Sequence, residues 1–216
     1  VVIPNGWGRY WAIDFGYSNP FVWQAWAEDD DGRLYLYREI YHTRRLVEDH
    51  ARQILALTAG EPGPEAIICD HDAEDRATLE RHLGLRTRAA WKPAGSVRVG
   101  IDAVASRMRP AGDGRPRLFI CRGALVERDD DLLGPRGEPL PASTEEEVEA
   151  YMWNPKTDVP VKEGDHGMDA MRYIVAHVDK LARGGVRAAA STLGDEAPSR
   201  GRAHRPELAG IRQEAW

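Results

Sequence analysis

Arg9 to Asn19, RYWAIDFGYSN, is the stretch whose reading decides the fold of this 216-residue chain. Trp11 and Ile13 alternate with Tyr10, Ala12 and Asp14, the two-residue period of a strand. One acid, Asp14, closes this otherwise apolar run, and Phe15-Gly16 lets the backbone turn directly after it. A carboxylate buried in such a strand is costly unless hydrogen bonds, a cation or a site mouth receives it. Asp14 therefore reads either as the cap of a turn or as a functional acid. The rest of the chain must supply the partners that decide.

Moving outward, Phe21 to Trp26 (FVWQAW) and Arg33 to Tyr41 (RLYLYREIY) repeat the strand pattern, separated by EDDDG with Gly32 placed for positive φ. With the Asp14 strand they predict an antiparallel meander of three strands. Leu46 to Leu57 has helical spacing, and His50 within it reads as a surface histidine. Ala66 to Cys69 is apolar without alternation, the mark of a strand covered on both faces, and it runs into Asp70-His71-Asp72. A helix from Glu74 to Leu83 with Gly84 as its C-cap follows, then a strand over Thr87–Trp91. This β-α-β-α-β rhythm predicts parallel pairing after the meander. Lys92 to Gly100 reads as a short basic loop, Ile101 to Met108 as a helix, and Leu118 to Cys121 as a strand. Residues 122–150 are polar, apart from a helix opened by the capping pattern at Thr144. Tyr151 to Trp153 is expected as a last edge strand. Asp165 to Leu181 is amphipathic, with Met168, Met171, Ile174, Val175 and Val178 on its apolar face. From residue 184 the composition turns to Ala, Gly, Ser, Pro and Arg, predicting a flexible, mildly basic tail (184–216) after a single domain over 1–183.

The formal net charge is -6, which on its face argues against a nucleic-acid partner. That argument weakens for metal-dependent nucleases, whose acids are neutralised by bound cations. No apolar run is long enough to span a membrane, no signal sequence is evident, and two cysteines at unrelated spacings imply neither a disulfide framework nor a zinc site. No GxxxxGK[ST] phosphate loop occurs.

Three acidic points remain where one site could form. Asp14 ends the first strand, Asp70 ends the first strand of the parallel section, and Asp165, His166 and Asp169 open the last helix. In open α/β sheets ligands gather beyond the carboxyl ends of strands, and His166 and Asp169 are three apart on one helical face. Oxygen donors of this kind suit Mg²⁺ or Mn²⁺, and two such ions can activate a water and stabilise the leaving oxygen of a phosphodiester. Individually the acids have plainer readings: Asp165 and Asp72 also suit helix N-caps.

AIDFGYSNPFVWQAW, EIYHTRRLVEDHA, IICDHDAEDRATLERHLGL and EGDHGMDAMRYIV together resemble the C-terminal nuclease domain of phage terminase large subunits, over roughly residues 9–180. CDHDAEDR and DHGMDAMRY are the most specific of these segments. The resemblance implies an α/β, ribonuclease H-like mixed sheet with helices on both faces. It also implies a metal-dependent endonuclease cutting concatemeric double-stranded DNA during viral genome packaging, in the cytoplasm of an infected bacterium. The family's acids fall on Asp14, Asp70 and Asp169, holding two Mg²⁺ or Mn²⁺ ions, with Asp165 as an alternate ligand and with His166 and Asp72 supporting them. The expected partners are DNA, a packaging ATPase domain, a portal and a small terminase subunit, with no membrane. Arg44, Arg45, Lys92 and Arg98, in loops or at element ends, are candidate phosphate contacts. Two rivals stay open. IDFGYSN also resembles the D-x-G-x-[ST] phosphate loop of actin-like sugar kinases, and a non-catalytic portal- or DNA-docking module would need no working acids.

Overall fold

In the computed structural model, which describes residues 2–134, 137–150, 153–154, 159–160 and 164–180, Gly8–Asp14 forms β1 at the middle of a six-stranded sheet. Phe21–Glu28 (β2) and Leu34–His42 (β3) complete an antiparallel meander with it. On its other side β1 pairs in parallel with Ala66–Cys69 (β4), which pairs in parallel with Arg88–Ala89 (β5). Leu118–Ile120 (β6) lies parallel to β3 and closes the order β5-β4-β1-β2-β3-β6.

The helices Val47–Leu57 (α1) and Ala73–Leu83 (α2) pack against each other on one face of this sheet. Ser96–Met108 (α3), Thr144–Ala150 (α4) and His166–Val178 (α5) gather on the other. Strand alternation sorts the side chains between these layers. Trp11, Ile13, Trp23, Ile67 and Cys69 pack with Ile54 and Leu79 beneath the sheet. Ala12, Val22, Trp26 and Ile68 pack with Met171 and Ile174 above it. Period two therefore commits Asp14 and Asp70 to the α5 face.

One irregularity changes that arithmetic in β3. Ala25 pairs with Arg38 but Trp26 pairs with Leu36, so Tyr37 is an extra residue opposite β2. The bulge flips the alternation: Leu34 and Leu36 face α5 before it, and Tyr41 faces the same layer after it. Glu39 is carried to that layer as well, where it meets α4.

Several element boundaries differ from the sequence reading. α3 starts at Ser96 rather than Ile101, because Gly95 adopts a left-handed φ of 81° and ends the loop there. Arg98 is consequently on a helix, not in a loop. Gly100, inside α3, lies against the Arg172 side chain, which a Cβ at that position would meet at 3.4 Å. The strand expected over Thr87–Trp91 pairs only at Arg88–Ala89. His50 is fully buried, stacked on Phe21 with ring centroids 3.9 Å apart, and burial pushes its pKa down to about 4. It is a neutral core ring rather than a surface histidine. Of the expected edge strand over 151–153, residues 151–152 lie outside the described residues; Trp153–Asn154 (β7) pairs with Val159–Pro160 (β8), apart from the main sheet. The tail expected from 184 also lies outside the described residues. No described helix is long and apolar enough to cross a membrane.

Candidate active site

β1 and β4 run in parallel with Ile13 opposite Cys69, and Asp70 N–H donates to the Ile13 carbonyl at 3.0 Å. Asp14 and Asp70 are therefore adjacent at the same carboxyl edge and on the same face, about 5 Å apart at the backbone by strand spacing. The turn after Asp14 is held tight: a side chain on Gly16 would strike the carbonyls of Asn19 and Pro20. α5 crosses above this edge, and His166, Asp169 and Tyr173 share the helical face that looks down on it.

Asp14 is 6% exposed. Its Oδ2 accepts from Nδ1 of His166 at 3.0 Å and its Oδ1 from the Tyr173 hydroxyl at 3.1 Å. Burial raises its pKa, the negative charges of Asp169 and Asp70 raise it further, and the His166 hydrogen bond only partly offsets them. His166 is itself raised, because its bond to Asp14 and that acid's charge outweigh the effect of burial. Burial and the same three acids push the Tyr173 hydroxyl far up, so it stays a donor. Asp70 behaves in the opposite way to Asp14: burial pushes it up, but Lys92 and the His71 N–H outweigh that and lower its pKa. Asp169 pairs with Arg172, three residues on in the same helix.

As the side chains stand, no three His, Cys, Asp or Glu side chains among the described residues are arranged to hold a metal ion. The reason is visible in the partners. Asp70 is taken by Lys92, Asp169 by Arg172 and Asp14 by His166 and Tyr173. The donor set nevertheless fits a hard divalent cation: carboxylate oxygens at one sheet edge, with mutual repulsion that a cation would relieve. Lys92 and Arg172 each pair with a single oxygen, Oδ1, of Asp70 and Asp169.

The other expected site residues divide clearly. Asp72 caps α2, accepting from the N–H groups of Glu74 (3.0 Å) and Asp75 (2.9 Å). Asp165 occupies the N-cap position of α5, although its side chain makes no capping bond. Arg45 is held by both oxygens of Glu127 at 2.9 and 2.8 Å, and Arg98 pairs with Asp102 at 3.5 Å. Arg44 is exposed, with a positive φ of 56°. Lys92 is the basic candidate that meets a candidate acid, and its Nζ also sits 4.8 Å from the Tyr173 ring centroid.

Sequence reasoning missed what positions α5. Glu147 of α4 accepts from the N–H groups of Gly167 (3.0 Å) and Met168 (2.7 Å) and from the Tyr41 hydroxyl (2.6 Å). It caps the first turn of α5 from another helix. Glu39 caps α4 in the same way, accepting from the Thr144 N–H at 3.1 Å and from its hydroxyl. Gln24 joins the two, donating to the Thr144 hydroxyl (2.6 Å) and the Gly167 carbonyl (2.8 Å). Burial raises Glu39 and Glu147 to about 7 each.

The six-stranded mixed sheet between two helical layers, with Asp14 and Asp70 at one carboxyl edge and α5 across it, is a ribonuclease H-like fold. Comparison with solved structures refines this. The chain is similar to the large terminase of a thermophilic bacteriophage (crystal form 2), with a TM-score of 0.61 and 21% identity over 81% of this chain and 40% of that one. A further crystal form of that protein gives a TM-score of 0.60. It is also similar to the P22 large terminase nuclease domain, with a TM-score of 0.59 and 18% identity over 84% of this chain and 85% of that one. The chain thus spans about two-fifths of the thermophilic phage protein and most of the P22 domain. Its fold is the ribonuclease H-like fold of a phage large-terminase nuclease domain. No family model and no curated protein matches the sequence.

Proposed function

We propose that the chain is the nuclease module of a viral genome-packaging terminase, cutting double-stranded DNA with Mg²⁺ or Mn²⁺ in the cytoplasm of an infected bacterium. The observation that carries this reading is Asp14, a buried acid burdened by the charges of Asp169 and Asp70 at the edge where this fold gathers ligands. Asp14, Asp70 and Asp169 would hold the ions, with Asp165 nearby at the start of α5. Bound there, divalent ions supply an activated water and neutralise charge on the scissile phosphate.

The chain's own residues do the rest. His166 and Tyr173 fix both oxygens of Asp14, leaving its remaining lone pairs directed by the frame rather than by rotation. Lys92, on leaving Asp70, becomes a cation beside the incoming phosphodiester. Arg172 does the same for Asp169. A packaging ATPase domain, a portal and a small terminase subunit are the partners this reading implies, and residues 1–183 would be the folded nuclease with 184–216 as its tail.

The test is nicking of supercoiled plasmid in Mn²⁺ or Mg²⁺, with EDTA and Asp14→Asn as controls. Conversion to open-circle DNA that EDTA and Asp14→Asn both abolish is the expected result. Intact plasmid under both metals, or cutting that survives the substitution, would sink the reading.

A further inference from the structure

Next to the acid edge, between α5 and the β4–β5 side of the sheet, lies a cavity of about 230 Å³. Trp91, Tyr173, Ile68, Arg88, His177 and Lys180 are among the residues that line it. Among the described residues, no carboxylate lines it. In a chain of net charge -6 this is a marked local reversal, and the cavity beside Glu39 shows the contrast, lined as it is by Glu145, Glu146 and Glu149.

Tyr173 belongs to both places. Its hydroxyl donates to Asp14 while its ring lines the cavity, with Lys92 poised over that ring. Whatever fills the cavity is therefore one aromatic ring away from the candidate metal ligands.

Aromatic faces flanked by cations are the surface that unpaired nucleotides choose, because every base has a face to stack and every step carries a phosphate. A duplex, whose grooves alone are several ångströms wide, is too bulky for this space. We propose that the cavity is a subsite for a single unpaired nucleotide adjoining the cleavage site, its base against Trp91 and Tyr173 and its phosphates on Arg88 and Lys180. The proposal rests on the nuclease reading and adds that the cut strand is frayed locally before it is cut. The fraying cost is a few stacking contacts, which the aromatic walls offset.

Binding of a fluorescein-labelled thymidine oligonucleotide, followed by anisotropy in EDTA, tests this without cleavage. The wild-type protein is expected to bind the single strand more tightly than a blunt hairpin duplex, with affinity falling as salt rises. Arg88→Glu, at an exposed position on the edge strand, is expected to weaken that binding about tenfold, and Trp91→Leu by a similar factor. Arg86→Ala, also exposed but paired with Glu80, serves as the control and is expected to bind as wild type. Preference for the duplex, or equal single-strand binding by wild type and Arg88→Glu, overturns the subsite. Plasmid nicking keeps the two ideas apart. Nicking with unaltered Arg88→Glu binding removes the subsite alone, and strand binding without nicking removes the nuclease reading and with it the subsite's role in cutting, leaving only a nucleotide-binding cavity.

Discussion

Two groups of buried or half-buried carboxylates lie against α5 on the same face of the sheet, and they are wired in opposite ways. Glu39 and Glu147 are received by neutral donors: the amides of Thr144, Gly167 and Met168 and the hydroxyls of Tyr41 and Thr144. Asp14, Asp70 and Asp169 are instead balanced chiefly by groups that carry or gain charge, His166, Lys92 and Arg172, beside the neutral Tyr173 hydroxyl and His71 N–H. The amides that hold Glu147 and Glu39 belong to helix first turns and cannot leave without unwinding them. Lysine and arginine tips can swing away. The first group therefore fixes where α5 sits, and on the proposed reading the second is the one that trades its partners for an ion.

The comparison can be broken most severely at Asp14. Asp14→Asn is expected to lower plasmid nicking by more than about a hundredfold, while the thermal midpoint does not fall, because the substitution removes a poorly tolerated buried charge. A lower midpoint with activity retained would assign Asp14 to the structural group. Glu147→Ala should do the reverse of Asp14→Asn. It strands two amides and a hydroxyl, so urea unfolding should report a loss of about 3 kcal/mol. Unchanged stability would mean that α5 is held by its apolar face alone.

The titration of the glutamates offers a third handle. Both are raised from 4.5 to about 7 in the fold, so the folded state keeps protons that the unfolded chain releases. Their contribution is complete below about pH 4.5 and is lost as pH rises to about 7, at up to about 1.4 kcal/mol per pH unit per proton held. Groups lowered in the fold act in the opposite sense: His50, pushed down to about 4, makes stability rise with pH up to about 6.5 and offsets part of this loss, and Asp70 costs stability as it protonates below about pH 4. Urea midpoints measured from pH 4.5 to 7 should decline, and Glu39→Gln should flatten the decline; an equally steep slope in that variant would detach Glu39 from it. The smallest effect is expected at Lys92. Removing this half-exposed partner in Lys92→Met should tighten Mn²⁺ binding about fivefold by electron paramagnetic resonance. Weaker binding would mean that Lys92 does not compete with the ion.

How much of this is legible in the sequence follows from the same contrast. Asp14 and Asp70 can be read because an acid at the end of an apolar strand breaks a local pattern, and His166-x-x-Asp169 because helical spacing is local too. The sheet's meander and parallel section and the two helical layers follow from alternation and from the β-α-β rhythm. Glu39 cannot be read: plain alternation from Leu34 puts it on the α1–α2 face, and only the bulge at Tyr37 turns it over. Glu147 sits in the run Glu145-Glu146-Glu147, which reads as a solvated helix face. Its burial depends on Gly167 coming close enough that a side chain there would strike the Thr144 hydroxyl. Tyr173 is hidden in an apolar run, and the Lys92–Asp70 pair joins residues 22 apart in sequence. What the sequence conceals is contact across elements, which no window of neighbouring residues contains.

The clamp between Glu147 and the first turn of α5 also bears on the chain that joins them. It pins Glu147 to Gly167 and Met168, so the two ends of the intervening chain meet at one point. Joining two fixed ends tolerates length, since doubling a closed loop costs only about 0.6 kcal/mol of chain entropy. Gly167 and Met168 are the residues between His166 and Asp169, so the same clamp fixes the helix turn that carries both.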